Sequence, residues 1–336
     1  MAKRREAFEF AGEAVAAGTA RTLRLPAARL YNDTQLDLMV EVYHGNKPGP
    51  TLLVCAAIHG DELNGIEICR RLMGRINPKA LHGTVLLVPI VNVFGFIQKS
   101  RYLPDRRDLN RCFPGSEKGA LASRLANLVA TELLSRASHI IDLHTGAIHR
   151  DNLPQIRCDT SDPVMMAMAG AFGAPLIMDS RAKGVSLRGY ANQKGIPCIL
   201  YEAGEALRFS ELAIRTGVRG VLNVMRMLEM QKGPIRRTTA VSAIHSYWLR
   251  SDADGLVNKK IRLGQRVNKG NIIAHIVSPH GTEALPVRAP SDGIIIGISN
   301  IPVTNEGEGM FHIAQFQGDE IEILNEQLDE FLMEFA

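Results

Sequence analysis

From Thr51 onward, short runs rich in β-branched residues alternate with amphipathic stretches whose apolar residues recur every three or four positions. A chain written this way has few options: each run is a strand buried on both faces, each stretch is a helix packed back onto it, and the units wind a sheet. Residues 52–57, 84–91, 139–143, 175–178 and 196–201 read as such strands, and residues 62–72, 120–135, 163–172 and 210–230 as the helices. The pattern predicts an α/β fold with a mixed, mostly parallel, doubly wound sheet. Ligands of such sheets bind where the strands end at their carboxyl edge. Before Thr51, the alternating Leu36, Leu38, Val40 and Val42 read as an antiparallel edge strand.

At 336 residues the chain exceeds one ordinary core. The texture changes after Gln231, where Lys-Gly-Pro-Ile-Arg-Arg interrupts the periodicity and short strands replace long helices. Two domains are expected, residues 1–235 and residues 236–336. In the second, Asp254-Gly255 followed by Gly270 and Ile276 is echoed by Asp292-Gly293 followed by Gly309 and Ile313, the mark of a small β-sandwich or barrel built from two similar halves. A helical stretch around residues 321–335 closes the chain.

Composition narrows the function. A net charge of +4, from 39 basic and 35 acidic residues, argues against a nucleic-acid surface. Acidic residues Glu6, Glu9 and Glu13 interrupt the N-terminal basic cluster Lys3, Arg4 and Arg5, so no signal peptide is expected, and no run is long enough for a spanning helix. The five cysteines, Cys55, Cys69, Cys112, Cys158 and Cys198, are scattered and odd in number, which fits reduced thiols without chemistry of their own. The expected setting is cytoplasmic, without membrane or nucleic-acid partner. A symmetric homo-oligomer is the base expectation for such a protein.

The chemistry concentrates at strand ends. His59 and Glu62 stand three apart in the turn after the strand at 52–57. Alone, that pair reads as a turn histidine and a helix N-terminal acid. His144, at the end of a second apolar strand and followed by Thr145-Gly146, alters the reading. Two imidazoles and one carboxylate are a donor set of catalytic zinc that leaves a fourth position open. Asp142 shares a strand face with His144, and either orients that imidazole or is paired elsewhere. Glu202 lies at the mouth of a third strand, where a carboxylate can take a proton from an attacking water and pass it to a leaving nitrogen. In the loop at 101–111, Asn110 and Arg111 are placed to grip a substrate carboxylate, and Arg101 to stabilise an oxyanion, while Arg106 and Arg107 supply general positive potential.

Four pieces in order, His-Gly-Asp-Glu at 59–62, Asp-Leu-Asn-Arg at 108–111, Asp-Leu-His-Thr-Gly at 142–146 and Glu-Ala-Gly at 202–204, resemble the succinylglutamate desuccinylase/aspartoacylase family of the zinc carboxypeptidase clan. The resemblance covers most of residues 50–230. It implies a zinc carboxypeptidase-like catalytic domain with one zinc ion per chain held by His59, Glu62 and His144. It further implies Glu202 as general base and acid, Asn110 and Arg111 as carboxylate ligands, and Arg101 at the oxyanion. The implied reaction is hydrolysis of a small anionic N-acyl amino acid, N-acetyl or N-succinyl. Asp61, where relatives often carry Asn, is a departure in the turn.

The C-terminal part resembles a biotinyl/lipoyl-like β domain, with Gly264 to Gly270 at its glycine-punctuated turn. The stretch 278–283 holds no carrier lysine, so a cap over the cleft is expected rather than a prosthetic-group carrier. Two rival functions share these features: a zinc carboxypeptidase acting on short peptides, and a non-catalytic metal-binding or carrier protein. No Gly-x-x-x-x-Gly-Lys phosphate loop and no Gly-x-Ser-x-Gly elbow occurs.

Overall fold

The computed structural model describes residues 5–182, 184–235, 240–318 and 320–334. Lys3, Arg4, Phe335 and the Arg236-Arg237 pair that begins the expected second domain lie outside these residues.

A small hairpin, β1 (Phe8–Phe10) with β2 (Glu13–Val15), precedes two long antiparallel strands, β3 (Thr19–Arg29) and β4 (Gln35–His44). The winding expected from Thr51 follows. It comprises β5 (Lys47–Ala56), α1 (Asn64–Met73), β6 (His82–Val88), α2 (Val93–Gln98), α3 (Leu121–Glu132), β7 (His139–Gly146), β8 (Arg150–Cys158), α4 (Pro163–Phe172), β9 (Leu176–Asp179), α5 (Leu187–Gln193), β10 (Cys198–Glu205) and α6 (Glu211–Met227). Short strands then take over: β11 (Val241–Ala243), β12 (His245–Arg250), β13 (Gly255–Lys259), β14 (Arg266–Val267), β15 (Ile272–Val277), β16 (Ala284–Arg288), β17 (Gly293–Ser299), β18 (Val303–Thr304) and β19 (Gly309–Gln315). Helix α7 (Glu320–Glu334) ends the described chain.

One large sheet runs in the order β12-β19-β17-β8-β10-β7-β5-β6-β4-β3. Its centre, β10-β7-β5-β6, is parallel. Strict two-residue alternation in these strands feeds two cores. Leu52, Val54, Ile141 and Leu143 meet α1, α4 and α6 on one face, while Leu53, Cys55 and Ile140 meet α3 and α5 on the other. The fold is therefore mixed α/β with helices on both faces. The expectation of a mostly parallel sheet needs correction, because β4 and β3 on one side and β8, β17, β19 and β12 on the other pair antiparallel. Strands that return through short connections pair antiparallel, and the sequence beyond the βα units supplies several.

β8 escapes sequence reading because Pro154 and five polar or charged residues break its apolar character. The proline is accommodated where the ladders change: β17 pairs with residues 150–152 of β8, β9 with residues 155–158, and the β10 register shifts between Glu202 and Gly204. Beyond β11, the two similar halves of the sequence become corresponding strands. β13 and β15 lie in a four-stranded sheet, β17 and β19 lie at the end of the large one, and Val267, Ile273, Ile276, Ile295, Phe311 and Ile313 fill the core between them. Residues 278–283 form the hairpin tip between β15 and β16.

Candidate active site

The end of β5 delivers His59. Ala57 turns the chain at a positive φ of 51°, and Gly60 then lies against α2 so closely that a Cβ there would sit 1.9 Å from the Gly95 carbonyl carbon. Only glycine permits that approach. Glu62 follows just ahead of α1, and His144 projects from the last residues of β7. All three are buried, at 3%, 2% and 6% exposure, and one donor atom from each lies within 4.8 Å of the others.

The hydrogen bonds around the rings define what they offer. His59 Nε2 is 3.1 Å from Asp108 Oδ1, and His144 Nε2 is 3.0 Å from Asp142 Oδ2. A carboxylate only accepts, so each Nε2 carries a proton and donates it. In a neutral ring the other nitrogen is then a bare acceptor. Yet His59 Nδ1 is 2.7 Å from Glu62 Oε1, and His144 Nδ1 is 2.9 Å from Glu62 Oε2. Acceptor facing acceptor is repulsive unless a second proton or a cation lies between them. Burial on its own would raise the Glu62 carboxyl, but the two flanking imidazoles hold it well below the usual carboxylate range. Burial would lower the His144 imidazole, but Asp142 and Glu62 hold it well above its ordinary value. This donor set, acid-backed imidazoles converging on one carboxylate, fits a divalent metal ion.

Arg101 completes the wall. Its Nε and Nη2 donate to Asp108 Oδ2 at 3.2 and 3.0 Å, and its Nη1 lies 3.5 Å from Glu62 Oε1. Asn110 spends its amide oxygen on the Leu187 backbone N–H at 2.9 Å. Its amide nitrogen is left for the cavity. Arg111 donates to the Asn110 carbonyl oxygen at 2.9 Å and forms no ion pair among the described residues. A cavity of 620 Å³ holds His59, Glu62, His144, Arg101, Asn110, Arg111 and Glu202 together. In the β7-β10 ladder Glu202 is the register partner of His144. The seven residues given site roles from the sequence thus line one space, whereas Asp142 lies buried behind His144 and Arg106 and Arg107 are not part of the lining.

Residues 48–228 match the succinylglutamate desuccinylase/aspartoacylase catalytic domain. The chain belongs to this family. It is 26% identical over 282 residues to N-alpha-acetyl-L-2,4-diaminobutyric acid deacetylase of Halomonas elongata, which spans 80% of this chain and 82% of that protein. Among solved structures, the product-bound ectoine utilization protein EutE (DoeB) of Ruegeria pomeroyi superposes with a TM-score of 0.80 at 24% identity, covering 88% of this chain and 95% of the other. A succinylglutamate desuccinylase/aspartoacylase of Rhodobacter sphaeroides gives 0.79 at 25% identity, over 89% and 95%. Relatives in this family are deacylases of small N-acyl amino acids.

In and around this cavity stand residues that sequence reasoning passed over. Asp108 sits inside the quoted Asp-Leu-Asn-Arg motif, but its tie to His59, 49 positions away, is a property of the fold. Asn152 and Arg157 belong to the unread strand β8 and flank Glu202. Arg188, from α5, donates to Ser180 and is pushed below its ordinary value by burial. Trp248, the lone tryptophan, reaches the cavity from β12 with the Arg150 guanidinium 4.8 Å above its ring. Its singularity in the sequence was the one available signal. No helix among the described residues is long and apolar enough to cross a membrane.

Proposed function

We propose that this chain is a zinc-dependent amidohydrolase that removes the acyl group from a small anionic N-acyl amino acid, N-acetyl or N-succinyl. The observation that carries the reading is the convergence of the Nδ1 atoms of His59 and His144 on the two carboxylate oxygens of Glu62, beside Glu202 in one cavity. Zinc on these three residues would supply Lewis acidity toward the amide carbonyl and a nucleophile at neutral pH.

The rest is done by the chain's own groups. Arg111 offers an unpaired guanidinium to the substrate carboxylate, and the Asn110 amide N–H adds a second donor that fixes its orientation. Arg101, anchored through Asp108, keeps Nη1 on the Glu62 side of the cavity, where negative charge gathers on the attacked oxygen. Glu202 accepts the proton of the attacking water and returns it to the amide nitrogen as the bond breaks. Asp108 and Asp142 fix both imidazoles in the tautomer that presents Nδ1. Residues 1–235 are the catalytic domain in this reading. Residues 236–336 form a biotinyl/lipoyl-like domain that caps the cleft, supported by the reach of Trp248 into the cavity.

The test is metal analysis of the purified protein, followed by turnover of N-acetyl and N-succinyl amino acids alongside dipeptides. One zinc per chain with hydrolysis of acyl amino acids is expected. Protein that retains no zinc after dialysis, or that cleaves only the dipeptides, would sink the reading.

A further inference from the structure

The geometry points to Asn152 and Arg157 as positioning residues for Glu202, with Gly297 of the C-terminal strands fixing Asn152 from behind. The inference rests on the reading of Glu202 as the proton carrier.

A carboxylate at a strand mouth has three rotatable bonds, and a proton carrier works only within hydrogen-bond reach of the atoms it serves. Glu202 has a partner at each oxygen, a hydrogen bond at Oε1 and an ion pair outside hydrogen-bond geometry at Oε2. The Asn152 side-chain amide donates to Oε1, and Arg157 Nε lies 2.9 Å from Oε2. Both come from β8, whose antiparallel ladder sets Gln155 opposite Glu202, so the two groups reach the carboxylate from either side of its register partner. Both also line the cavity. They hold Glu202 without belonging to the metal set.

Asn152 is held in turn by the last part of the chain. It is 4% exposed, and its Oδ1 has no hydrogen-bond partner among the described residues, so packing fixes the amide's orientation. That packing is β17. Gly297 is the register partner of Asn152, and a Cβ there would lie 2.8 Å from Asn152 Oδ1, 3.0 Å from His312 Cβ and 3.5 Å from Trp248 Cη2. Asn152 and His312 thus close on a position with no room for a methyl group. The last hundred residues therefore act on the proton carrier through one glycine, besides lending Trp248 to the cavity wall.

Steady-state kinetics with an N-acyl amino acid, together with metal content, test this in the zinc-loaded full chain. Asn152→Ala and Arg157→Met should each lower kcat by about 10²-fold, the scale of losing catalytic alignment, with KM and zinc content little changed. Arg157→Lys should recover much of the loss, and added guanidinium ion should partly rescue Arg157→Ala. Gly297→Ala should lower kcat like Asn152→Ala, and the double variant should be no worse than Asn152→Ala alone, because one acts through the other. Unchanged kcat in both Asn152→Ala and Arg157→Met overturns the proposal, and so does a rise in KM alone. Additive losses in the double variant remove Gly297 from it. If Gly297→Ala does not fold, the two β8 variants decide. Glu202→Gln serves as reference: if it keeps full turnover, the functional reading fails, whereas loss in Glu202→Gln with parental β8 variants fails only this inference.

Discussion

Glu202 lies directly opposite His144 in the parallel ladder between β10 and β7. Register partners on adjacent strands point to the same face, so one hydrogen-bonded step across the sheet sets the proposed proton carrier beside the proposed metal donors. The two tasks are adjacent yet separable. Replacing Glu202 by Gln should lower kcat by about 10²- to 10⁴-fold while leaving zinc bound, since Glu202 is not a donor. Steady-state assays and elemental analysis on the same preparation check both halves.

Behind each imidazole stands an acid, and the acids should matter nearly as much as the rings. Asp142→Asn and Asp108→Asn are expected to weaken zinc binding by about 10- to 100-fold each. Competition with a chromogenic chelator reads this without any assay of turnover. Affinities equal to that of the parent would mean that the Nε2 contacts do not set the tautomer.

Arg111 carries a charge that no described acid neutralises. Its loss in Arg111→Ala should raise KM by roughly 10- to 100-fold, the value of a charge-assisted hydrogen bond of about 1.5–3 kcal/mol. Arg111→Lys should recover only part of it, because a single ammonium cannot bracket a carboxylate. A panel in which the amino-acid carboxylate is amidated checks the assignment: the variant should lose its disadvantage on the amide.

His312 connects the C-terminal strands to acid sensitivity. Burial, helped by Arg157, pushes its imidazole down to about 3 from an ordinary 6.5. In the unfolded chain it takes a proton near pH 6.5, whereas in the folded chain it stays neutral until about pH 3. Stability is therefore intact above pH 6.5 and falls as pH drops from there toward 3, by at most about 1.4 kcal/mol per pH unit from this group. His312→Phe, which keeps the ring stacked on Trp248, should flatten the acid limb of stability measured by denaturant titration between pH 7 and pH 4. A limb as steep as the parent's would assign the sensitivity to other groups.

How much was readable beforehand follows from where each residue sits. His59, Glu62, His144 and Glu202 could be found because each caps an apolar run in the parallel centre, where strand ends converge. Asp142 could be paired with His144 because two residues along a strand return to the same face. Asp108 could not be tied to His59 without the fold. Strand β8 was illegible for a different reason: Pro154 and its polar neighbours deny it the apolar signature of a buried strand, and its place is set by partners from both halves of the chain. With β8 hidden, Asn152 and Arg157 were hidden too, and the sheet read as more parallel than it is.

The three-residue ladder joining Gly297, Ile298 and Ser299 to Asn152, Asp151 and Arg150 constrains protein engineering. A fragment cut near residue 235 would bare that stretch of β8 as a raw edge open to pairing with other chains, which favours aggregation. Grafting a tail from a distant relative would succeed only if the incoming strand matched this pairing and kept its glycine at the junction.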